Sequence, residues 1–135
     1  MRSDGFRAAV EGEDLSSLDE LFLPDAVFRS PAVHRPYEGL DALQAILEAV
    51  ISVFEDFRYL EQVEADELAT LLFAARVGDR ELEGVDLLRF APDGRISELT
   101  VMVRPLSGVK ALAEAMGRRL DAANRAGRRS SLEGH

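Results

Sequence analysis

One acidic residue within an apolar, alternating segment is the leading candidate for chemistry in this chain. Period-two alternation over residues 81–90 places Asp86 on one face of a predicted strand. The same face carries Leu82, Gly84, Leu88 and Phe90. Because burial without a partner is costly for an ionised carboxylate, we expect the pKa of Asp86 to rise. A carboxyl group kept neutral in this way can donate a hydrogen bond to a carbonyl or phenol oxygen.

A structural role for the same carboxylate is equally consistent with the sequence. Asp86 could pair with a backbone donor or with an arginine, such as Arg35 or Arg58, and would then only shape the core. His34 is a second candidate for acid–base chemistry, because imidazole titrates near neutral pH. The alternative for this position is a solvated loop histidine.

Composition excludes several other kinds of site and partner. The 135 residues include no cysteine, which excludes disulfides, thiolate catalysis and cysteine-bound zinc, and no motif points to a metal or a cofactor. A net charge of −9 disfavours nucleic acids and anionic membranes, because both require a positive field. No segment has the length and apolarity of a membrane span or a signal peptide, so we expect a cytoplasmic protein.

The elements that must position these residues begin with helices. Apolar spacing over residues 6–22 predicts two helices, with Asp14 capping the second and Pro24 ending it. A short strand over residues 26–30 and a proline-containing loop over residues 31–38 follow.

A long amphipathic helix and an antiparallel meander make up the rest of the chain. Apolar residues at helical spacing predict a helix between Gly39 and Phe54. The period then changes to two, which predicts four strands over residues 57–63, 68–77, 81–90 and 95–104. Ser107 caps a predicted final helix.

This order of elements predicts one α+β domain, in which helices cover the apolar face of a mainly antiparallel sheet. We expect the domain to occupy residues 1–126. Residues 127–135 are expected to form a disordered tail, whose last residues could be the remnant of an expression tag.

Two segments of the sequence resemble the SnoaL-like, or nuclear transport factor 2-like, superfamily. One contains Pro24-Asp25-Ala26-Val27-Phe28 and, after the loop, Glu38-Gly39-Leu40. The other is Gly84-Val85-Asp86-Leu87-Leu88-Arg89-Phe90 followed by Asp93-Gly94-Arg95-Ile96, which is similar to the central hairpin of the family. The resemblance implies a cone of curved sheet and helices around an apolar pocket, usually dimeric through the outer face of the sheet.

The superfamily includes ketosteroid isomerase, polyketide cyclases, dehydratases and non-enzymatic binders, so fold alone does not decide function. Matched to ketosteroid isomerase, Asp86 stands at the oxyanion-binding aspartate. Phe6 replaces its tyrosine, and Ser30 replaces its general-base aspartate. Because a serine hydroxyl has no useful basicity near neutral pH, this pattern argues against steroid-isomerase chemistry.

The resemblance also implies which residues face the pocket. Asp86 and His34 are the candidate catalytic residues. The predicted ligand-binding residues are Phe6, Phe28, Ser30, Tyr37, Tyr59, Leu88, Leu99, Val101 and Val103. We expect the protein to bind a small hydrophobic molecule, either as an isomerase, cyclase or dehydratase of a carbonyl compound or as a non-catalytic binding or dimerisation module. The outward residues Glu98, Thr100, Met102 and Arg104 suit a homodimer contact.

Overall fold

The molecule consists of an open sheet with helices packed on one side of it. The computed structural model describes the backbone of residues 1–133 and the side chains of residues 1–122. Its elements are α1 (Asp4–Glu11), α2 (Leu18–Leu21), β1 (Phe22–Arg29), β2 (Tyr37–Glu38), α3 (Leu40–Val53), β3 (Glu55–Ala65), β4 (Leu68–Val77), β5 (Arg80–Phe90), β6 (Ile96–Arg104) and α4 (Leu106–Glu133).

The six strands form one curved sheet in the order β2-β1-β6-β5-β4-β3. Strands β3 to β6 form the antiparallel meander that the sequence predicts, and only the β1–β6 pair is parallel. The predicted α+β class, with helices packed on a mainly antiparallel sheet, is therefore confirmed. Period-two alternation decides which side chains face the helices, since successive residues of a strand point to opposite faces.

The core lies between the inner face of the sheet and the helices. Phe6 of α1, Leu43 of α3 and Leu112 of α4 belong to one buried cluster with Leu71 of β4 and Leu99 of β6. Leu71 and Leu99 have no exposed surface. A short isolated helix has only marginal stability in water. Packing of apolar side chains against the sheet and the other helices is therefore what holds each helix in place.

The N-terminal part differs in detail from the sequence-based prediction. Helix α2 begins at Leu18, so Asp14 does not cap it. Asp14 Oδ1 instead accepts hydrogen bonds from the Ser16 backbone N–H and hydroxyl, at 3.0 and 2.7 Å. Pro24 lies inside β1 rather than at a helix end. The strand tolerates it because the pairing of β1 with β6 is interrupted between Phe22 and Val27, where a missing N–H breaks no ladder bond.

Two further differences concern the loop and the C-terminus. The predicted loop over residues 31–38 ends in the short strand β2. Helix α4 extends to Glu133, so residues 127–133 continue a helix where we expect a disordered tail. The predicted tail also includes residues 134–135, which lie outside the described residues. The domain boundary at residue 126 stays a prediction. No helix of the described range is long and apolar enough to cross a membrane.

Gly84 allows two neighbouring strands to pack closely against β5. It lies opposite Phe73 of β4 and Val103 of β6. A Cβ atom at position 84 would lie 2.6 Å from the carbonyl oxygen of Met102 and would also overlap the ring of Phe73. The position therefore requires glycine for space rather than for an unusual backbone angle.

We expect Gly84→Ala to lower the free energy of unfolding by about 2 to 3 kcal/mol, because overpacking forces backbone or ring displacement. Urea unfolding followed by circular dichroism would measure the change. Gly117→Ala is the matched control, since nothing lies within 4 Å of the added Cβ. That variant should be stabilised by up to about 1 kcal/mol through helix propensity alone. Equal effects of the two substitutions would contradict the steric argument.

Candidate functional site

A cavity of about 390 Å³ lies between the inner face of the sheet and helices α1, α3 and α4. Its wall is mainly apolar, and seven of the nine aromatic residues of the chain contribute to it. These are Phe6, Phe28, Tyr37, Phe54, Phe57, Tyr59 and Phe73. The volume and the lining are typical of a site for a small organic molecule.

An aromatic cluster forms the end of the cavity next to β3 and β4. Phe57 and Tyr59 share one face of β3, with ring centroids 4.9 Å apart in an edge-to-face arrangement. The Phe57 ring lies 5.2 Å from Phe73, which faces Tyr59 across the strand pair. Such packing restricts the Tyr59 ring and so fixes the position of its hydroxyl group.

The Tyr59 hydroxyl donates a hydrogen bond to Oδ2 of Asp86 at 2.8 Å. Asp86 lies between Leu71 of β4 and Val101 of β6, and only 7% of its surface is exposed. Tyr59 lies opposite Phe73, and Phe73 lies opposite Gly84, which has no side chain. Asp86 follows Gly84 by two residues on the same face of β5, so the Tyr59 hydroxyl reaches it diagonally across the sheet.

The second carboxyl oxygen of Asp86 is free to interact with a ligand. Oδ1 has no protein hydrogen-bond partner among the described residues, since the one hydrogen bond of this side chain there runs from Tyr59 to Oδ2. Yet no fully buried side-chain oxygen or nitrogen in the described range lacks a partner. Oδ1 therefore keeps some exposed surface, and Asp86 belongs to the cavity wall.

Burial changes the protonation of both groups. Desolvation raises the pKa of Asp86 to about 7, and the Tyr59 hydrogen bond, which favours the charged form, offsets only part of this effect. Burial, together with the nearby Asp86 charge, raises the pKa of Tyr59 well above its usual value near 10, so Tyr59 remains a donor. Near neutral pH, Asp86 is divided between a carboxylic acid and a carboxylate.

Helix α1 is held against the cavity by polar contacts with the edge strand. The backbone N–H of Ser3, a fully buried residue, donates to Glu64 on β3 at 2.9 Å. Gln62 on the same strand donates to Asp4 at 2.9 Å and accepts from Arg7 at 3.0 Å. These contacts keep Phe6 in the cavity wall.

Comparison with known proteins shows the family to which this chain belongs. The sequence model of the SnoaL-like domain family matches residues 4–99. The chain belongs to the SnoaL-like domain family. No curated protein matches it.

Solved structures extend this likeness to most of the domain. A steroid delta-isomerase from Pseudomonas aeruginosa is 47% identical to this SnoaL-like chain, with 92% of each chain covered and a TM-score of 0.88. An uncharacterized protein with a cystatin-like fold from Silicibacter pomeroyi is 32% identical, covering 86% of this chain and 82% of its own, with a TM-score of 0.81. An NTF2-like protein from Mesorhizobium loti, 23% identical over 77% of this chain and 88% of its own, shares the fold with a TM-score of 0.68.

Eight of the eleven predicted site residues of this SnoaL-like domain lie in the cavity wall. They are Phe6, Phe28, Ser30, Tyr37, Tyr59, Asp86, Leu99 and Val101. Ser30 Oγ accepts hydrogen bonds from the backbone N–H groups of Ala32 and Val33, at 3.1 and 3.3 Å, and so shapes the turn that follows β1. Its hydroxyl hydrogen remains available to a ligand.

Three predicted site residues lie elsewhere. Leu88 is fully buried in the core, opposite Leu99, and Val103 lies opposite Gly84, but neither reaches the cavity. Leu88 and Val103 lie on the same face of the sheet as Asp86, but the cavity extends over only part of that face. His34 is exposed in the loop before β2 and is not part of the cavity wall.

The arginine partner considered for Asp86 is also not present in the described structure. Arg58 donates to the carbonyl oxygen of Asp56 at 3.0 Å, and Arg35 is exposed in the loop before β2. The partner is a tyrosine hydroxyl, which forms one hydrogen bond without supplying a positive charge. For this reason the pKa of Asp86 is raised rather than lowered.

Sequence reasoning missed most of the other cavity residues, including Ile46, Leu47, Val50 and Ile51 of α3, and two of the missed groups bear on the shape and charge of the site. One comes from α4, for which the sequence predicts a helix but no part in a cavity: Leu112, Ala113, Met116, Gly117 and Leu120. The other consists of Glu11, Glu13 and Asp56, three exposed carboxylates for which no sequence pattern indicated a common location. The described residues include no cluster of three acidic or histidine side chains suited to a metal ion.

The raised pKa makes the stability contribution of Asp86 depend on pH with a definite sign. The unfolded chain releases the Asp86 proton near its ordinary pKa of about 4, whereas the folded chain holds it until about 7. Between these values the folded state binds more protons, so ionisation lowers its stability as the pH rises.

We expect Asp86→Asn to be more stable than the unsubstituted protein at pH 8, by on the order of 2 to 4 kcal/mol, because it removes the cost of a buried charge. The difference should shrink steadily as the pH falls towards 5. Urea unfolding at several pH values measures it, with the exposed Asp79→Asn as control. A stability difference that does not change between pH 5 and 8 would show that Asp86 is not buried as described.

Proposed function

We propose that this protein binds a small hydrophobic molecule through a carbonyl or phenol oxygen, which contacts Asp86. The observation that carries the proposal is the free Oδ1 of a buried carboxyl group, facing an aromatic cavity of about 390 Å³. The surrounding rings would supply affinity through apolar contact, while a single polar group would fix the orientation of the ligand.

Asp86 would act as a hydrogen-bond donor in its protonated form. Tyr59 already donates to Oδ2, so the acid proton belongs on Oδ1 and points to the ligand. A neutral acid can donate to a carbonyl oxygen, and this bond strengthens if the oxygen gains negative charge during enolisation or ring closure. The low polarity of the cavity increases the strength of such an interaction.

Catalysis as an isomerase, cyclase or dehydratase of a carbonyl compound is one form of this proposal. The 47% identical relative, a steroid delta-isomerase, supports it. Binding without turnover is the alternative, supported by the two positions where the ketosteroid isomerase pattern is lost. Phe6 has no polar side-chain atom, and the Ser30 hydroxyl is not a base and already accepts two backbone hydrogen bonds.

The role of Asp86 predicts that ketone binding depends on pH. The affinity for 2-acetylnaphthalene, a neutral apolar ketone, should fall by about tenfold between pH 6 and pH 8, because the ionised carboxylate cannot donate. Fluorescence titration can measure this loss directly, since the chain contains no tryptophan.

Asp86→Asn should bind the ketone with an affinity that is the same at both pH values, because the amide donates at either. Ser30→Ala is the matched control and should retain the pH dependence, since it leaves Asp86 and Tyr59 unchanged. A pH-independent affinity in the unsubstituted protein would refute the proposed contact. If the contact is confirmed, mass spectrometry of a native metabolite extract before and after incubation with the protein would separate turnover from simple binding, because only turnover forms a product.

We further propose that two copies associate through the outer face of the sheet. The strand register places Leu72, Val85 and Met102 in one row across that face, and Met102 is 53% exposed. An ion pair between Arg104 and Glu83 lies beside the row. Apolar residues bordered by charges are typical of a dimer interface. As a separate point, we propose the cytoplasmic location that the sequence predicts.

Met102→Glu should convert the dimer to a monomer, because two copies would place buried carboxylates against each other. Size-exclusion chromatography with light scattering measures the mass. Leu106→Glu is the control, since Leu106 is 82% exposed at the start of α4 and outside this face. A monomeric unsubstituted protein, or a dimeric Met102→Glu, would exclude the outer face as the interface.

A further inference from the structure

We propose that the cavity selects its ligand by charge, so that amine-bearing and neutral apolar molecules bind and anionic molecules are rejected. The inference rests on the proposed function, since it concerns the ligand of the same cavity. It follows from the charges that line the cavity, from the contacts of the nearest cations and from the character of the aromatic wall.

The charged side chains in the cavity wall are all acidic. Glu11, Glu13 and Asp56 are exposed residues of the wall, and Asp86 lies inside it. Within the described part of the chain, no arginine, lysine or histidine belongs to the wall. An anion entering this space would lose its hydration without gaining a positively charged partner, which is among the largest penalties in protein recognition.

The two arginines that pair with these carboxylates are already engaged by them. Arg7 pairs with Glu11, donates to Gln62, and lies 5.5 Å from the centre of the Tyr59 ring. Arg7 itself does not belong to the cavity wall. A ligand anion could recruit it only by breaking these contacts.

Arg76 is engaged in a similar way. It donates to Asp56 at 2.8 Å and to Glu55 at 3.1 Å, so one cation serves two carboxylates. Glu13 has no ion-pair partner among the described residues. The charge around the cavity therefore remains negative after both arginines are counted.

The interior of the cavity favours the same selection. Oδ1 of Asp86, on a side chain more than nine-tenths buried, faces the ligand as either an acid or an anion and repels a ligand carboxylate in the second form. Aromatic rings present negative faces, which attract cations and not anions. A protonated amine can thus exchange its hydration for carboxylates and ring faces, while an uncharged molecule loses little on entry.

Three naphthalene compounds of matched size test the inference. They are 2-naphthylmethylamine as the cation, 2-naphthylmethanol as the neutral compound and the carboxylate of 2-naphthaleneacetic acid, called the acetate below, as the anion. Fluorescence titration at pH 7 should give the tightest binding for the amine, and binding of the acetate weaker than that of the alcohol by at least about tenfold. Acetate binding as tight as alcohol binding would overturn the inference while leaving the cavity as a ligand site. If none of the three compounds and no naphthyl ketone binds, the proposed function fails together with it.

A charge-neutralised variant shows whether the acidic wall is the cause. Glu13→Gln combined with Asp56→Asn should narrow the ratio of amine to acetate affinity by at least about threefold, because two of the wall charges are removed. The affinity for the neutral alcohol should stay the same, which shows that the cavity is intact. Glu20→Gln, an equal loss of charge on α2 outside the wall, should leave the ratio unchanged. An unchanged ratio in the double variant, or an equal change in the control, would refute the assignment.

Discussion

The hydrogen bond from Tyr59 to Asp86 determines what chemistry the cavity can offer. A carboxyl group surrounded by Leu71, Val101 and aromatic rings would stay protonated if it had no partner. Beside an arginine, the same group would stay ionised. A phenol hydroxyl gives an intermediate result, because it donates one hydrogen bond and brings no charge. The pKa of Asp86 therefore lies near 7, where one oxygen can donate to or accept from a ligand.

Several features of the fold serve this one contact. Gly84 leaves space for the ring of Phe73, and Phe73 with Phe57 restricts the ring of Tyr59. The polar contacts between Ser3 and Glu64 hold α1, and with it Phe6, over the opposite side of the cavity. A fixed donor and a closed apolar surrounding are the conditions under which a single hydrogen bond can orient a ligand or stabilise charge that develops on it.

The SnoaL-like fold does not by itself decide the reaction. In the match that the resemblance to ketosteroid isomerase implies, Asp86 stands at the oxyanion-binding aspartate, while Phe6 and Ser30 stand at the tyrosine and the general base. Three further carboxylates, those of Glu11, Glu13 and Asp56, lie in the cavity wall and have no counterpart in that match. Function in such a family depends on a few side chains whose replacement leaves the core intact.

The sequence by itself determined the sheet meander, the long helix α3 and the inward direction of Asp86, because side-chain direction along a strand or helix follows from local periodicity. It did not determine the partner of Asp86, since Tyr59 lies 27 residues away and reaches it only through the pairing of three strands. Nor did it place Leu88 and Val103 outside the cavity or Glu13 in its wall. Those positions depend on the curvature of the sheet and on where the helices dock, which arise from the packing of the whole chain rather than from any one segment.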